Sequence, residues 1–119
     1  MNMRLFIISA LLTCTFLSSC KKTAKDIIDC LAEDLYVTLH ATPDGSNPKK
    51  IDFHVNYTGD HSVSSIEWIF GDGSTATVNG VSTSHTYGSA GSYTVKAKVK
   101  IINGSATCIP EPEKKITIN

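Results

Sequence analysis

From Leu35 onward the chain alternates apolar with polar residues. Leu35, Val37, Leu39 and Ala41 fall on one side of an extended segment and Tyr36, Thr38 and His40 on the other, because successive strand side chains point to opposite faces. Ile51, Phe53, Val55 and Tyr57 repeat the pattern, with Asp52, His54 and Asn56 outward. Between these two strands, residues 41–48 (ATPDGSNP) carry turn formers throughout and read as a loop. In the longest run, Tyr93, Val95, Ala97, Val99 and Ile101 share a face opposite Thr94, Lys96, Lys98 and Lys100. Two Asn-Gly pairs, Asn79-Gly80 and Asn103-Gly104, stand between apolar runs; such pairs suit two-residue turns and predict two hairpins, 75–85 and 95–108. Pro110-Glu111-Pro112 blocks strand pairing on at least one side, and a short last strand follows over 114–118. Before all this, Ile27, Leu31 and Leu35 recur every four residues and predict a short N-terminal helix with an apolar stripe. About seven short strands separated by regular turn signals predict an all-β, two-sheet sandwich.

The first twenty residues obey a different pattern. A single positive charge, Arg4, precedes the mostly apolar run LFIISALLTCTF (5–16). As a helix rising about 1.5 Å per residue, that run would cover only about 18 Å of a hydrocarbon layer about 30 Å thick. A charged start, a short apolar core and small residues before a break form the pattern of a signal peptide rather than a spanning helix. Leu17-Ser18-Ser19-Cys20 resembles the lipobox of bacterial lipoproteins. The resemblance implies cleavage of residues 1–19, lipid attachment at Cys20, a lipidated tether over 20–26 and a folded domain over 27–119. Each buried methylene contributes about 0.8 kcal/mol, so two or three acyl chains would hold the protein on a membrane. Lys21 and Lys22 after the cysteine are compatible with a place at the outer membrane.

Removing residues 1–19 from 119 leaves 100, which is one domain's worth. Only Arg4 is lost among the charges, leaving ten lysines against eleven acidic residues. That balance lacks the basic excess of a nucleic-acid binder. Cys14 leaves with the signal and Cys20 is taken by lipid, so Cys30 and Cys108 remain as an even pair in an exported chain and predict a disulfide. Neither has a second cysteine or histidine at metal-ligand spacing.

Three blocks, Trp68-Ile69-Phe70-Gly71-Asp72-Gly73-Ser74, Ser84-His85-Thr86-Tyr87 and Gly91-Ser92-Tyr93-Thr94-Val95, closely resemble the signature of PKD (polycystic kidney disease) domains in order and spacing. The resemblance is strong over residues 66–99 and weaker over 35–57. It implies an immunoglobulin-like β-sandwich in which Trp68 fills the core and Trp68, Phe70, Gly71, Asp72, Gly73, His85, Tyr87 and Tyr93 are structural. It also implies a hydrogen bond from His85 near the loop before the long strand. Ile69 departs from the family, which usually carries an acidic residue there, and leaves an apolar spot for a neighbouring strand or a partner to cover.

Asp72 has two readings. Its carboxylate can accept backbone N–H groups of its own turn, or, with Asp44 and Asp60, it could contribute to a calcium site, although Gly-Asp-Gly alone lacks the spaced carboxylates that calcium requires. The turn reading is favoured, so no cofactor is expected, with calcium as the alternative. His40 and His54 are outward on two strands and could face each other, but two histidines without a third ligand more often form a solvated face. Serine, histidine and aspartate are abundant, yet no nucleophile motif such as Gly-Xaa-Ser-Xaa-Gly occurs. Lys96, Lys98 and Lys100 form a row that could meet an anionic glycan or membrane, though such rows more often keep a strand soluble. Tyr36 is the one aromatic whose parity points clearly outward. These features predict a noncatalytic module that contacts an envelope protein or a glycan. A calcium-dependent carbohydrate-binding lipoprotein is the second reading.

Overall fold

The computed structural model describes residues 29–119; the expected signal peptide (1–19), Cys20, the whole expected tether (20–26) and Ile27 of the predicted helical stripe lie outside the described residues. Among the described residues one helix precedes eight strands: α1 (Cys30–Leu35), β1 (Val37–Pro43), β2 (Lys50–Tyr57), β3 (Ser62–Ile69), β4 (Thr75–Val78), β5 (Ser82–Thr86), β6 (Gly91–Asn103), β7 (Ala106–Cys108) and β8 (Glu113–Ile118). They form two antiparallel sheets. The first has the order β1-β2-β5; the second has β4-β3-β6-β7, with β8 also on β6.

The alternating rows meet face to face. Val37, Leu39, Ile51, Phe53 and Val55 of the first sheet pack against Ile66, Trp68, Val95, Ala97, Val99 and Ile101 of the second. Phe53 sits at the centre, its ring 5.7 Å from both Trp68 and Phe70. Trp68 is fully buried, as a core-filling tryptophan between two sheets should be.

The long strand β6 organises the second sheet. Its C-terminal end pairs with β7 and its N-terminal end with β8, along the same edge. Between them the two prolines lie beside β6 and accept from it: Ala97 N–H donates to the Pro112 carbonyl at 3.0 Å and Val99 N–H to the Pro110 carbonyl at 2.9 Å. A proline beside a strand can accept but not donate, so these two residues meet β6 through their carbonyls alone.

Two turn expectations change. The Asn103-Gly104 hairpin forms, but Asn103 pairs with Ala106, so Gly104 and Ser105 make the turn and Gly104 takes the positive φ of 61°. Asn79-Gly80 makes no hairpin. β4 pairs with β3, whereas β5 pairs with β2, so this dipeptide carries the chain from one sheet to the other. β4 stays with the strand before it, and β5 pairs with β2 of the other sheet. The hairpin is instead β3–β4, closed at Gly71-Asp72-Gly73, where Phe70 N–H donates to the Ser74 carbonyl at 3.1 Å.

The helix also differs from its predicted stripe. Leu31 and Leu35 are 84% and 83% exposed, while Glu33 is only 4% exposed. Asp29 caps α1, its Oδ1 accepting from Leu31 N–H and Ala32 N–H. Cys30 is bonded to Cys108 across a separation of 78 residues. Residues three apart share a helix face, so the sulfur link holds the side of α1 that carries Glu33 toward the sheets and leaves the leucines out, with Cys30 itself exposed.

Closing a loop of that length is worth up to about 4–5 kcal/mol in the chain-entropy model. Replacing Cys30 and Cys108 by alanine is therefore expected to lower the unfolding free energy by about 2–4 kcal/mol, measured by urea denaturation. A change under about 0.5 kcal/mol would show that the bond constrains nothing.

Candidate functional site

The three signature blocks converge at one end of the sandwich, around Phe70. Its ring stacks on His85, with centroids 4.0 Å apart and planes 5° from parallel. Tyr87 meets His85 edge-on at 4.7 Å and Tyr93 at 4.4 Å. The Tyr87 hydroxyl, buried, donates to the Phe70 carbonyl at 2.9 Å. The Tyr93 hydroxyl donates to the Ser89 carbonyl at 2.7 Å.

Asp72 is the polar centre of this cluster. Its Oδ1 accepts from Ser74 N–H at 3.0 Å and its Oδ2 from His85 Nε2 at 2.7 Å. Burial opposes ionisation of Asp72, but the His85 and Ser74 hydrogen bonds outweigh it and hold the carboxyl below its ordinary value. Burial, with the Asp72 charge beside it, pushes the Tyr87 hydroxyl well up. His85 thus bonds back to the β3–β4 turn and not to the loop before the long strand. The reason is the crossover at 79–80: it places β5 beside the end of β3, within reach of Asp72.

The glycines permit that turn. Gly71 has φ +87° and Gly73 φ +92°, a region side chains resist. They differ in surroundings: a Cβ on Gly71 would lie 2.6 Å from the Thr94 carbonyl oxygen, whereas one on Gly73 meets nothing within 4 Å.

The three aspartates named for calcium are not assembled. Asp44 closes its own loop, accepting from Ser46 N–H and hydroxyl at 2.9 Å and lying 3.4 Å from Lys50 Nζ. The Ser46 N–H, then its hydroxyl, lower the Asp44 carboxyl below its ordinary value. Among the described residues no three His, Cys, Asp or Glu side chains come together as a metal would require. None of the hydrogen bonds among them brings a hydroxyl or thiol nucleophile to His85 either.

The lysine row is largely neutralised. Lys96 lies 3.3 Å from Glu113 and 3.9 Å from Glu111, and Lys98 lies 4.0 Å from Glu111. Ile69 is half-buried between its register partners Thr75 and Lys96, so neighbouring strands cover the family departure. Tyr36 is exposed as expected.

One cluster has no counterpart in the sequence reading. The inward Glu33 accepts from the Tyr57 hydroxyl and lies 2.6 Å from His61 Nδ1, while His61 N–H donates to the Tyr57 oxygen at 3.1 Å. Burial and then the Glu33 carboxylate push the Tyr57 hydroxyl up to about 12. No periodicity marks Glu33 as an inward residue, because the disulfide decides the helix's rotation.

The outer face of β1-β2-β5 is open to a partner. A shallow groove of about 400 Å³ there is lined by Thr42, Asp52, His54, Ser82, Thr83 and Ser84, with Phe53 beneath. His40 and His54 are direct register partners on the same face.

The profile of the PKD domain matches residues 37–118. This chain belongs to the PKD domain family. No curated protein matches it. Among solved structures it is similar to the PKD1 domain of the Vibrio cholerae metalloprotease PrtV, at 19% identity and TM-score 0.55, covering 70% of this chain and 94% of that one. It is similar also to the PKD1 domain of Vibrio anguillarum Epp, at 18% identity and TM-score 0.56, covering 70% and 90%. These likenesses confirm the fold, an all-β immunoglobulin-like sandwich. In this PKD domain the side chains of Asp72, His85, Tyr87 and Tyr93 are each engaged in a hydrogen bond within the cluster, whereas the buried Trp68 Nε1 has no partner among the described residues.

Two outcomes test that assignment. Because the native Asp72 carboxyl lies below its unfolded value of 3.8, the unfolded chain binds the proton more readily. Stability from this group is present above about pH 4 and lost as pH falls through the native value. Asp72→Asn should cost about 1–2 kcal/mol at pH 7, and the gap to the parent should close below pH 4 in chemical denaturation. Gly71→Ala should cost more than about 2 kcal/mol, combining strain with collision, and Gly73→Ala only about 1 kcal/mol from strain; equal losses would refute the close approach to Thr94.

Proposed function

We propose that this PKD domain is a noncatalytic binding module held outside the cytoplasm by lipid on Cys20, making protein or glycan contacts at the cell envelope. In this reading residues 1–19 are the signal peptide, 20–26 the tether and 27–119 the binding domain. The outer membrane is its place and no nucleic acid is a partner.

The observation that carries the reading is the division of polar groups. Asp72, His85, Tyr87 and Tyr93 are held in internal hydrogen bonds, whereas Thr42, Asp52, His54, Ser82 and Ser84 line an open groove. A rigid sheet face with several hydrogen-bonding groups suits recognition. The Cys30–Cys108 link supports an oxidising compartment, and the lipobox-like Leu17-Ser18-Ser19-Cys20 supports anchoring. Among the described residues no helix is long and apolar enough to cross a membrane.

Metabolic labelling with an alkyne palmitate should tag the parent and leave Cys20→Ala unlabelled; equal labelling of both would remove the anchor. Cross-linking in cells followed by mass spectrometry, together with a glycan array on the purified chain, should map contacts to the β1-β2-β5 face. Asp52→Lys should weaken binding at least tenfold at unchanged melting temperature. Contacts concentrated on the signature end would overturn the assignment of the face.

A further inference from the structure

The outer face of the first sheet carries one arrangement that the family signature does not use and that shares His54 and Ser82 with the groove assigned to binding. His40 on β1 and His54 on β2 are paired directly across the ladder, and both are exposed. Side chains so opposed leave the backbone with Cβ atoms about 4.5–5.5 Å apart. Two rings rooted at that separation can tilt together until one nitrogen of each lies about 3 Å from the other. Two imidazoles bound to one ion at about 2.0–2.1 Å require that spacing.

The His54 ring is held from the side. Its Nδ1 lies 2.8 Å from Ser82 Oγ, on the next strand of the same sheet. In the tautomer that donates Nδ1–H to the hydroxyl, Nε2 keeps its lone pair for a ligand. Metal-binding histidines are commonly oriented in this way, by a hydrogen bond from the nitrogen that does not bind. The His40 ring takes part in none of the hydrogen bonds among the described residues and can turn toward its partner. Asp52 stands two residues before His54 on the same face, about 7 Å along the strand, and adds a negative charge beside the pair.

We infer that His40 and His54 form a two-imidazole chelating site for a divalent late transition-metal ion on the β1-β2-β5 face, with Ser82 positioning His54. Among the described residues no third His, Cys, Asp or Glu closes on the pair, so water or an oxygen of a bound partner completes the coordination. Neutral imidazole favours copper, nickel and zinc over calcium or magnesium, in the order that places copper(II) highest. The site is independent of the lipid anchor and of the identity of any envelope partner. It would let a partner carrying a carboxylate or imidazole attach through the ion.

Nickel(II) is a suitable probe because it is paramagnetic and does not oxidise the thiols of the full chain. Substoichiometric nickel(II), added to the 15N-labelled full chain, should broaden amide signals around residues 40 and 54 first. Titration calorimetry should give one ion per chain at that site, with His40→Ala and His54→Ala each weakening binding at least tenfold. Both positions are exposed, so the variants should melt at the parental temperature, which a thermal scan checks. Ser82→Ala should weaken binding by about tenfold and shift the His54 tautomer, read from ring 15N shifts; a purely structural serine would not move the tautomer. Broadening centred on His61, His85 or the N-terminal segment would overturn the inference. So would undiminished affinity in His54→Ala, or no broadening at millimolar nickel.

Discussion

The structure depends on Phe70. Its side chain closes the core against Phe53, its carbonyl accepts the buried Tyr87 hydroxyl, its N–H closes the β3–β4 turn onto Ser74, and its outer ring face carries His85. Residues from β3, β5 and the approach to β6 thereby meet at one point, and the two sheets are joined at that end by hydrogen bonds as well as by apolar contact. A hydrogen bond to a buried carbonyl adds about 1 kcal/mol when made and costs more when broken, because the acceptor is then left without water. Asp72 belongs to the same node. Its two carboxylate oxygens fix the turn on one side and the His85 ring on the other, so the aspartate that invites a metal reading is held by the fold.

The opposite end is secured differently. There Cys30–Cys108 ties the helix to the end of β7, and Glu33 is enclosed with Tyr57 and His61. A carboxyl taken from water needs strong partners, and two side chains supply them. The consequence is that Leu31 and Leu35 face solvent. Both ends being fixed, the sheet faces between them are rigid platforms. The β1-β2-β5 face presents a groove rich in hydroxyl, carboxylate and imidazole groups, while the β6 side is screened by the Lys96–Glu113 and Lys98–Glu111 pairs.

Much of this was legible in the residues themselves. Strands with one buried face must alternate, so Val37 to Ala41, Ile51 to Tyr57 and Tyr93 to Ile101 announced their inward sides, and those sides are buried or half-buried. The pairing of Cys30 with Cys108 followed from counting thiols. The likeness of Trp68 to Tyr93 to the PKD signature singled out the residues that gather around Phe70, though not the bond between Asp72 and His85.

Local pattern could not say which strand lies beside which. Asn79-Gly80 has the chemistry of a hairpin turn, yet burial of β4 and β5 on different sheets outweighs the fraction of a kilocalorie that a favoured turn contributes. The spacing of Ile27, Leu31 and Leu35 is helical, and a helix does form, but a covalent bond at Cys30 sets its rotation against the apolar stripe. Sequence alone determined the class of fold, the strand faces and the disulfide, because those follow from periodicity and composition along the chain. Tertiary structure decided the strand order, the His85–Asp72 bond, the inward Glu33 and the His40–His54 pairing, because each is a contact between residues far apart in sequence, fixed only when the whole core is packed.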